Sequence, residues 1–342
     1  MIKTLPLAEA VAQLDLPGIE RNLFSSPSWL DVIRKTYGTR LFIKYLERDG
    51  RVVSYIPYTV VHNFLEWKIC QCSYCDYCDG VVESPEHWRL FFEDLRREFP
   101  RYRIAIRNLR DCHARQAGVF ELLSQEYCHV LDTRPDLEAL WRGSHDSHKA
   151  AVTQARRKGV TVRRCGREYL RDFYRLHLSV RKNKYRIFPQ PFHFFENIWE
   201  AYMPQGRGFL LGAFDPDGQF IGGNIYLVCG DTLYYKFNTS SQAALAFRPN
   251  NVLFWEGICL AKELGLSWLD LGSSGPEQTG LIRFKEHAGA RRMEISHLGY
   301  HPPDYKFSRK RILKAMTWVF TRRWMPEACL RWGSRIMYHY LA

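Results

Sequence analysis

The chain lacks any run of about eighteen consecutive apolar residues, so no membrane-spanning helix is expected. It shows no apolar leader: Met1-Ile2-Lys3-Thr4-Leu5-Pro6-Leu7 runs straight into Glu9, and no secretory segment is expected. Acidic residues are scarce relative to basic ones, 36 against 49, for a net charge of +13. Such a balance favours a polyanionic partner (nucleic acid, an anionic membrane surface or a phosphorylated carrier) over an acidic one, although a basic protein without any such partner fits it too. Separated Cys-x-x-Cys pairs are also missing. The ten cysteines, without a secretory segment, read as cytosolic thiols rather than a disulfide framework. The expected location is cytoplasmic, with the inner face of the membrane as an option.

What is present is enough for two ordinary domains. The 342 residues are 46% apolar, 25% charged and 15% aromatic, so most of the chain should fold around well-filled cores or line a broad, partly apolar groove. In the first half, Ser26 caps a helix with Pro27 in its first turn, and Trp29, Leu30 and Ile33 form its apolar stripe. Strands over 41–46 and 52–60 flank the tight turn Asp49-Gly50. A helix over 85–99 and strands over 101–106 and 128–132 follow. The second half repeats this grammar: helices over 172–184 and 192–202, strands over 208–214 and 219–229 around Asp215-Pro216-Asp217-Gly218, a strand over 232–238, a long helix over 251–264 ended by Gly265, and strands over 268–271 and 291–298. The pattern reaches a mixed α/β class with mainly antiparallel sheets.

The most informative stretch is Gly280-Leu281-Ile282-Arg283-Phe284-Lys285-Glu286. It follows the apolar strand 266–272 and the turn Gly272-Ser273-Ser274-Gly275. Two cations just beyond a strand end suit an acyl carrier, a phosphate-bearing cofactor or a carboxylate. A solvated turn with incidental charges is the alternative.

Several segments, in order, resemble one family: Ser25-Ser26-Pro27-Ser28-Trp29-Leu30; His148 through Val160, a basic helix ending in Gly159-Val160; Leu176 through Arg181; Asn250 through Gly265; and Gly280 through Lys285. They are similar to the FemAB-like branch of the GNAT acyltransferase superfamily, over residues 25–298. The resemblance implies two tandem GNAT-type domains sharing a cleft, here 1–165 (with a basic junction helix at 145–158) and 166–300, the second being the donor-binding half. A basic amphipathic helical tail, 301–342, follows them. It also implies transfer of an aminoacyl group from aminoacyl-tRNA to an amine on a small molecule or peptide, by a monomer or weak dimer with no tightly bound cofactor. Two departures stand out. The coiled-coil arm of some members has no room between 181 and 207. The Gln/Arg-x-x-Gly-x-Gly/Ala loop of simple acetyl-CoA enzymes is replaced by Ala246-Phe247-Arg248-Pro249-Asn250-Asn251.

On this reading Lys285 and Arg283 orient the donor, and exposed amides around Gly272, Ser273 and Ser274 meet the oxyanion. Asp270 or Glu286 takes the proton of the amine nucleophile, although Asp270 could equally hold the loop by accepting backbone hydrogen bonds. Arg248 and Asn250 mark an anion-favouring helix N-terminus, at which Asn250 or Asn251 is the expected cap. Lys236 is preferred over Tyr235 as the polar cleft residue. Lys149, Arg156, Arg157, Lys158, Arg163 and Arg164 could follow the acceptor stem of a tRNA, or be a solvated helix face.

The cluster Cys70, Cys72, Cys75 and Cys78 has the wrong spacing for two zinc knuckles or a ferredoxin run, and no metal is expected there. By resemblance, the segment holding Cys75, Asp76, Tyr77 and Asp79 is an acceptor loop of the first domain. The tail from 306 to 341 carries nine Lys or Arg and one acid, Glu327, interleaved with apolar residues. Packing on the domains is its default, with an anionic bilayer or RNA as alternatives. Two other functions remain: an N-acyltransferase using acyl-CoA or an acyl carrier protein, and a non-catalytic RNA- or membrane-surface-binding protein on a GNAT scaffold.

Overall fold

The computed structural model describes residues 1–63, 66–71, 73–110, 113–303, 305, 310–322 and 324–338, with side chains left out at 310–314. Cys72 and residues 306–309 and 339–341 of the tail lie outside that set. The strands are β1 Ile2–Pro6, β2 Arg40–Arg48, β3 Arg51–His62, β4 Trp67–Cys70, β5 Arg103–Asn108, β6 Glu121–Asp132, β7 Thr161–Cys165, β8 Gly208–Phe214, β9 Phe220–Cys229, β10 Thr232–Ser240, β11 Trp268–Ser274 and β12 Arg291–Tyr300. The helices are α1 Leu7–Gln13, α2 Pro27–Tyr37, α3 Pro85–Glu98, α4 His113–Gln116, α5 Leu137–Gly143, α6 Asp146–Arg157, α7 Leu170–Val180, α8 Phe192–Tyr202, α9 Pro249–Glu263, α10 Thr279–His287, α11 Lys310–Phe320 and α12 Glu327–Met337.

These elements divide between two compact units. Unit 1 holds residues 1–127, 294–313 and 338–342; unit 2 holds 128–293 and 314–337. Unit 1 orders its strands β1-β2-β3-β4-β5-β12. Its strand pairs are antiparallel except β4 with β5, where Lys68, Ile69 and Cys70 face Arg103, Ile104 and Ala105. Helix α3 bridges those two strands, as a parallel pair requires a crossover. Its Trp88, Phe91, Phe92 and Leu95 pack with Ile69, Ile104, Ile106 and Leu298 to make the core. Local chemistry sets the ends. Ser26 and Ser84 accept N–H bonds at the starts of α2 and α3, each followed by proline. Asp49 and Gly50 both take positive φ, as the tight hairpin turn demands.

Unit 2 repeats the scheme with the order β6-β11-β10-β9-β8-β7, β6 contributing its residues from 128 onward. β7 with β8, β8 with β9 and β9 with β10 are antiparallel, β10 with β11 is parallel, and α9 is the crossover between that last pair. Helix α9 is apolar nearly all round, which marks a central helix. Val252, Leu253, Phe254, Ile258 and Ala261 join the core with Val152 and Ala155 of α6, so the basic helix packs in this unit. Gly265, at φ +68, closes α9 with the paired bonds Leu266 N–H to Ala261 and Gly265 N–H to Lys262 of a left-handed cap.

Candidate functional site

The site begins where β10 and β11 separate. They pair only at Thr232 with Trp268, Leu233 with Leu269 and Tyr234 with Asp270, although β10 continues to Ser240 and β11 to Ser274. On its other edge β10 stays paired with β9 but slips register between Tyr235 and Phe237. Lys236 is therefore the extra residue of a bulge, which bends a strand and re-aims its side chains. The result is an open wedge between two parallel strands.

One wall is the end of β11. Gly272 adopts φ +69 there, a conformation that suits glycine. The buried Asp270 carboxylate accepts the Gly272 N–H at 2.7 Å and faces the Cys128 thiol at 3.4 Å. Lys285 is also buried, and its Nζ donates to the carbonyls of Gly272 (2.9 Å) and Ser273 (3.0 Å) and to Ser274 Oγ (2.8 Å). Three acceptors thus meet the three hydrogens of the ammonium.

The other wall is an amide ladder. Asn238 Nδ2 donates to Asn224 Oδ1 at 2.7 Å and to Asn250 Oδ1 at 3.1 Å. Asn224 Nδ2 donates to the Tyr226 hydroxyl, which donates to the Leu253 carbonyl. The ladder ties β9 and β10 to the first turn of α9. Asparagine is unfavourable in strands, and that is the signal by which Asn224 and Asn238 stand out in the sequence.

Several expectations change here. Residues 279–287 are helix, not a turn, so Arg283 and Lys285, two apart, point to different sides; Arg283 is exposed while Lys285 is inside. The carbonyls, not the amides, of Gly272 and Ser273 face Lys285, and the Gly272 and Gly275 N–H groups are taken by Asp270 and Gln278. The cap of α9 is neither Asn250 nor Asn251. Pro249 occupies the first helical position and Arg248, at φ 59, is the cap residue, its Nε donating to Gln154. Tyr235 packs toward Phe254 at 5.8 Å, and Lys236, the extra residue of the bulge, places its Nζ 5.7 Å from the Phe237 ring centroid.

Glu286 forms an ion pair with Arg292 at 2.6 Å and lies 3.9 Å from His129 Nε2. His129, on β6, is fully buried, and burial followed by the nearby Lys285 charge lowers its pKa to about 4. It lies as a neutral imidazole near Lys285 and Glu286, and nothing in the sequence around it marks it. His148 of α6 sits between the rings of Phe254 and Phe284, its pKa likewise lowered to about 4 by burial.

Residues 146–286, which carry this wedge and both its walls, match the family model for the acetyltransferase (GNAT) domain. This segment is similar to a GNAT domain. No curated protein matches the chain. Among solved structures, FemX is 16% identical with a TM-score of 0.65, over 93% of this chain and 100% of that one. L-PGS from Bacillus licheniformis is 14% identical with a TM-score of 0.56, over 93% and 96%. A tandem GNAT protein from the clavulanic acid biosynthesis pathway is 12% identical with a TM-score of 0.52, over 88% and 99%. Taken together, these likenesses show a tandem-GNAT fold.

The basic residues of the GNAT domain are mostly engaged within it. Arg156 pairs with Glu256 at 2.9 Å and Arg164 with Glu263 at 2.5 Å, both acids on α9. Lys149 pairs with Asp146 at 2.9 Å, and Lys158 donates to the Ala246 carbonyl. Arg163 lies on β7, its guanidinium 4.1 Å from the Phe214 ring centroid. Arg157 is exposed. Strand alternation puts Arg163 and Arg164 on opposite faces, which breaks a continuous track.

Unit 1 holds its own cavity, of about 420 Å³, on the sheet face opposite α3. Lys68, Arg103, Arg107 and His297 line it together with Cys70 and Cys75. Glu66 pairs with both Lys68 (2.7 Å) and Arg103 (2.5 Å), and burial followed by Arg107 lowers the His297 pKa to about 4. The loop expected to meet the acceptor closes over this face. Its Cys75 carbonyl accepts from Arg107, and Asp79 accepts the N–H groups of Leu109 and Arg110. Tyr77 is buried edge-on against Phe24, and Asp76 is half-buried. So Asp79 and Tyr77 shape the loop, while Gln71, Ser73 and Tyr74 before them join Lys68, Arg103, Arg107 and His297 in the cavity's polar lining. Among the described residues no group of three His, Cys, Asp or Glu side chains could hold a metal ion.

Proposed function

We propose that the wedge between β10 and β11 receives the acyl end of an activated donor, and that the protein passes that group to an amine. The observation that carries this reading is the parting of the parallel pair beyond Tyr234 and Asp270, beside the Lys236 bulge. The amine nitrogen attacks the acyl carbon, a C–N bond forms, and the ester C–O or thioester C–S bond breaks. The nitrogen loses a proton to a nearby base, for which Asp270, Glu286 and His129 are the candidates, and the leaving oxygen or sulfur gains one. Lys285 holds the β11 wall at the geometry the acyl group needs.

For the donor we favour aminoacyl-tRNA. The start of α9 offers a poor cradle for a cofactor pyrophosphate: Pro249 has no N–H, and the Asn251 N–H returns to the Arg248 carbonyl. The parted strands themselves favour a second reading, a pantetheine thioester, because a narrow flexible arm fits between them. The test is mass detection of product from a charged tRNA pool and, separately, from acyl-CoAs, each with a mixture of amines. Product from the tRNA arm alone supports the first donor and product from the CoA arm alone the second. Absence of product and of donor binding in both arms defeats the catalytic reading.

A further inference from the structure

Helices α11 and α12 turn one side inward and leave the other uncovered. On α12, Leu330, Gly333, Ser334 and Met337 are buried at helical spacing. Gly333 is pressed against α11: an added Cβ would lie 2.8 Å from the Phe320 ring, which itself sits 5.6 Å from Phe188 of the same unit. The opposite side is apolar as well. Trp332 is 64% exposed and Ile336 39%, beside the exposed Arg331 and Arg335. On α11, Trp318 is 59% exposed and Val319 37%, and the Arg322 guanidinium lies 3.6 Å from the Trp318 ring centroid. Trp324, in the turn between the helices, is 71% exposed. The chain has ten tryptophans, and the three found among its exposed large apolar residues are these.

We propose that the outward side of α11 and α12 is a peripheral docking surface for an anionic lipid bilayer. Tryptophan settles at the headgroup level, where its ring is half in an apolar medium and its N–H remains wet. Val319 and Ile336 add apolar area that reaches the acyl boundary, and Arg322 beside Trp318 and Arg331 and Arg335 near Trp332 meet headgroup phosphates. Charge agrees: residues 306–341 hold nine Lys or Arg and one acid. Each helix is 11 residues long, and none of the described helices is long and apolar enough to cross a membrane, so this surface lies on the bilayer. RNA would use the arginines and could stack on the tryptophans, but Val319 and Ile336 offer a base neither stacking nor hydrogen bonds. The inference is independent of the donor and of the wedge.

The test is co-flotation of the full chain with vesicles of phosphatidylcholine alone and of phosphatidylcholine mixed equally with phosphatidylglycerol. Wild type should float with the anionic vesicles and shift its tryptophan emission to shorter wavelength. Trp318→Ala with Trp332→Ala should weaken partition about tenfold or more, since each removes an interfacial ring. Arg331→Gln with Arg335→Gln should weaken binding to the anionic vesicles about fivefold per arginine and leave any binding to neutral vesicles unchanged. All four side chains are exposed, so thermal unfolding should be unaltered, which is checked alongside. Failure of wild type to float overturns the proposal, and so does flotation that both variants leave unchanged. Loss of RNA binding or of self-association in these variants, with no vesicle binding by wild type, assigns the surface to that other partner instead.

Discussion

A buried cation and an exposed one, two residues apart, predict different phenotypes. Lys285→Ala strands two carbonyls and a hydroxyl inside the GNAT domain, which should cost about 1–3 kcal/mol of stability and move the urea midpoint accordingly. Turnover should fall with it, about 10²-fold, as the β11 wall loosens. Arg283→Ala, at an exposed position, should shift stability by no more than about 0.5 kcal/mol; equal losses in the two variants would show that the helix orientation is misread. The buried imidazoles make a second residue-scale prediction. His129, His148 and His297 are lowered to about 4 and His177 to about 3, in each case chiefly by burial. Between the unfolded value near 6.5 and these folded values the unfolded chain binds more protons. Their contribution is therefore intact above about pH 6.5 and is lost as pH falls toward 4, at up to about 1.4 kcal/mol per pH unit for each ring. Urea unfolding from pH 7 to pH 4 measures this slope. His148→Phe, which fills the space between Phe254 and Phe284 without a titrating group, should flatten it.

At the scale of elements, α9 shows how a helix can be fixed by a residue that ought to weaken it. Gly257 lies against Tyr226, and a Cβ there would sit 2.1 Å from the hydroxyl. Alanine would normally favour a helix interior by about 1 kcal/mol. Here Gly257→Ala should instead destabilise by about 1–3 kcal/mol, because Tyr226 is buried and its hydroxyl is held by two hydrogen bonds, one accepted from Asn224 and one donated to Leu253; a raised melting temperature would contradict the packing. This contact also marks the limit of what the sequence could say. The helices 27–37, 85–98, 192–202 and 249–263 and most of the longer strands were legible, because caps, prolines, turn pairs and apolar periodicity are local signals. β1, β4, β7 and helix 279–287 were not. The first three are short strands whose only support is a neighbour, and residues 272–280 hold enough Gly and Ser to disguise the helix that follows. The wedge depends on where pairing stops, and His129 on which strands become neighbours; those are tertiary facts with no local trace, whereas Asn224 and Asn238 leave only the weak signal of asparagine inside strands.

For the whole molecule, the net charge of +13 is partly spent on internal pairs before any ligand arrives. Arg156 and Arg164 answer Glu256 and Glu263, and Lys149 answers Asp146. If aminoacyl-tRNA is the donor, its binding should weaken with salt, each neutralised phosphate adding about 0.7–0.9 to the log–log slope. A Lys149/Arg156/Arg157→Ala triple variant should lower the slope by nearer one phosphate than three, because only Arg157 is without a carboxylate partner among the contacts described above. Titrations at several salt concentrations decide it, and a flat wild-type slope removes the tRNA donor. The division of the chain has a consequence of another kind. Unit 1 begins at residue 1, yet the strand that borders its β5 is β12, pairing Ser296–Tyr300 with Asn108–Ile104. On the ribosome those residues emerge only after nearly all of unit 2 has been made. The GNAT domain is thus free to close around α9 while unit 1 waits with one side of β5 bare, exposed to chaperones and to other nascent chains. The half of the protein synthesised first is the half completed last.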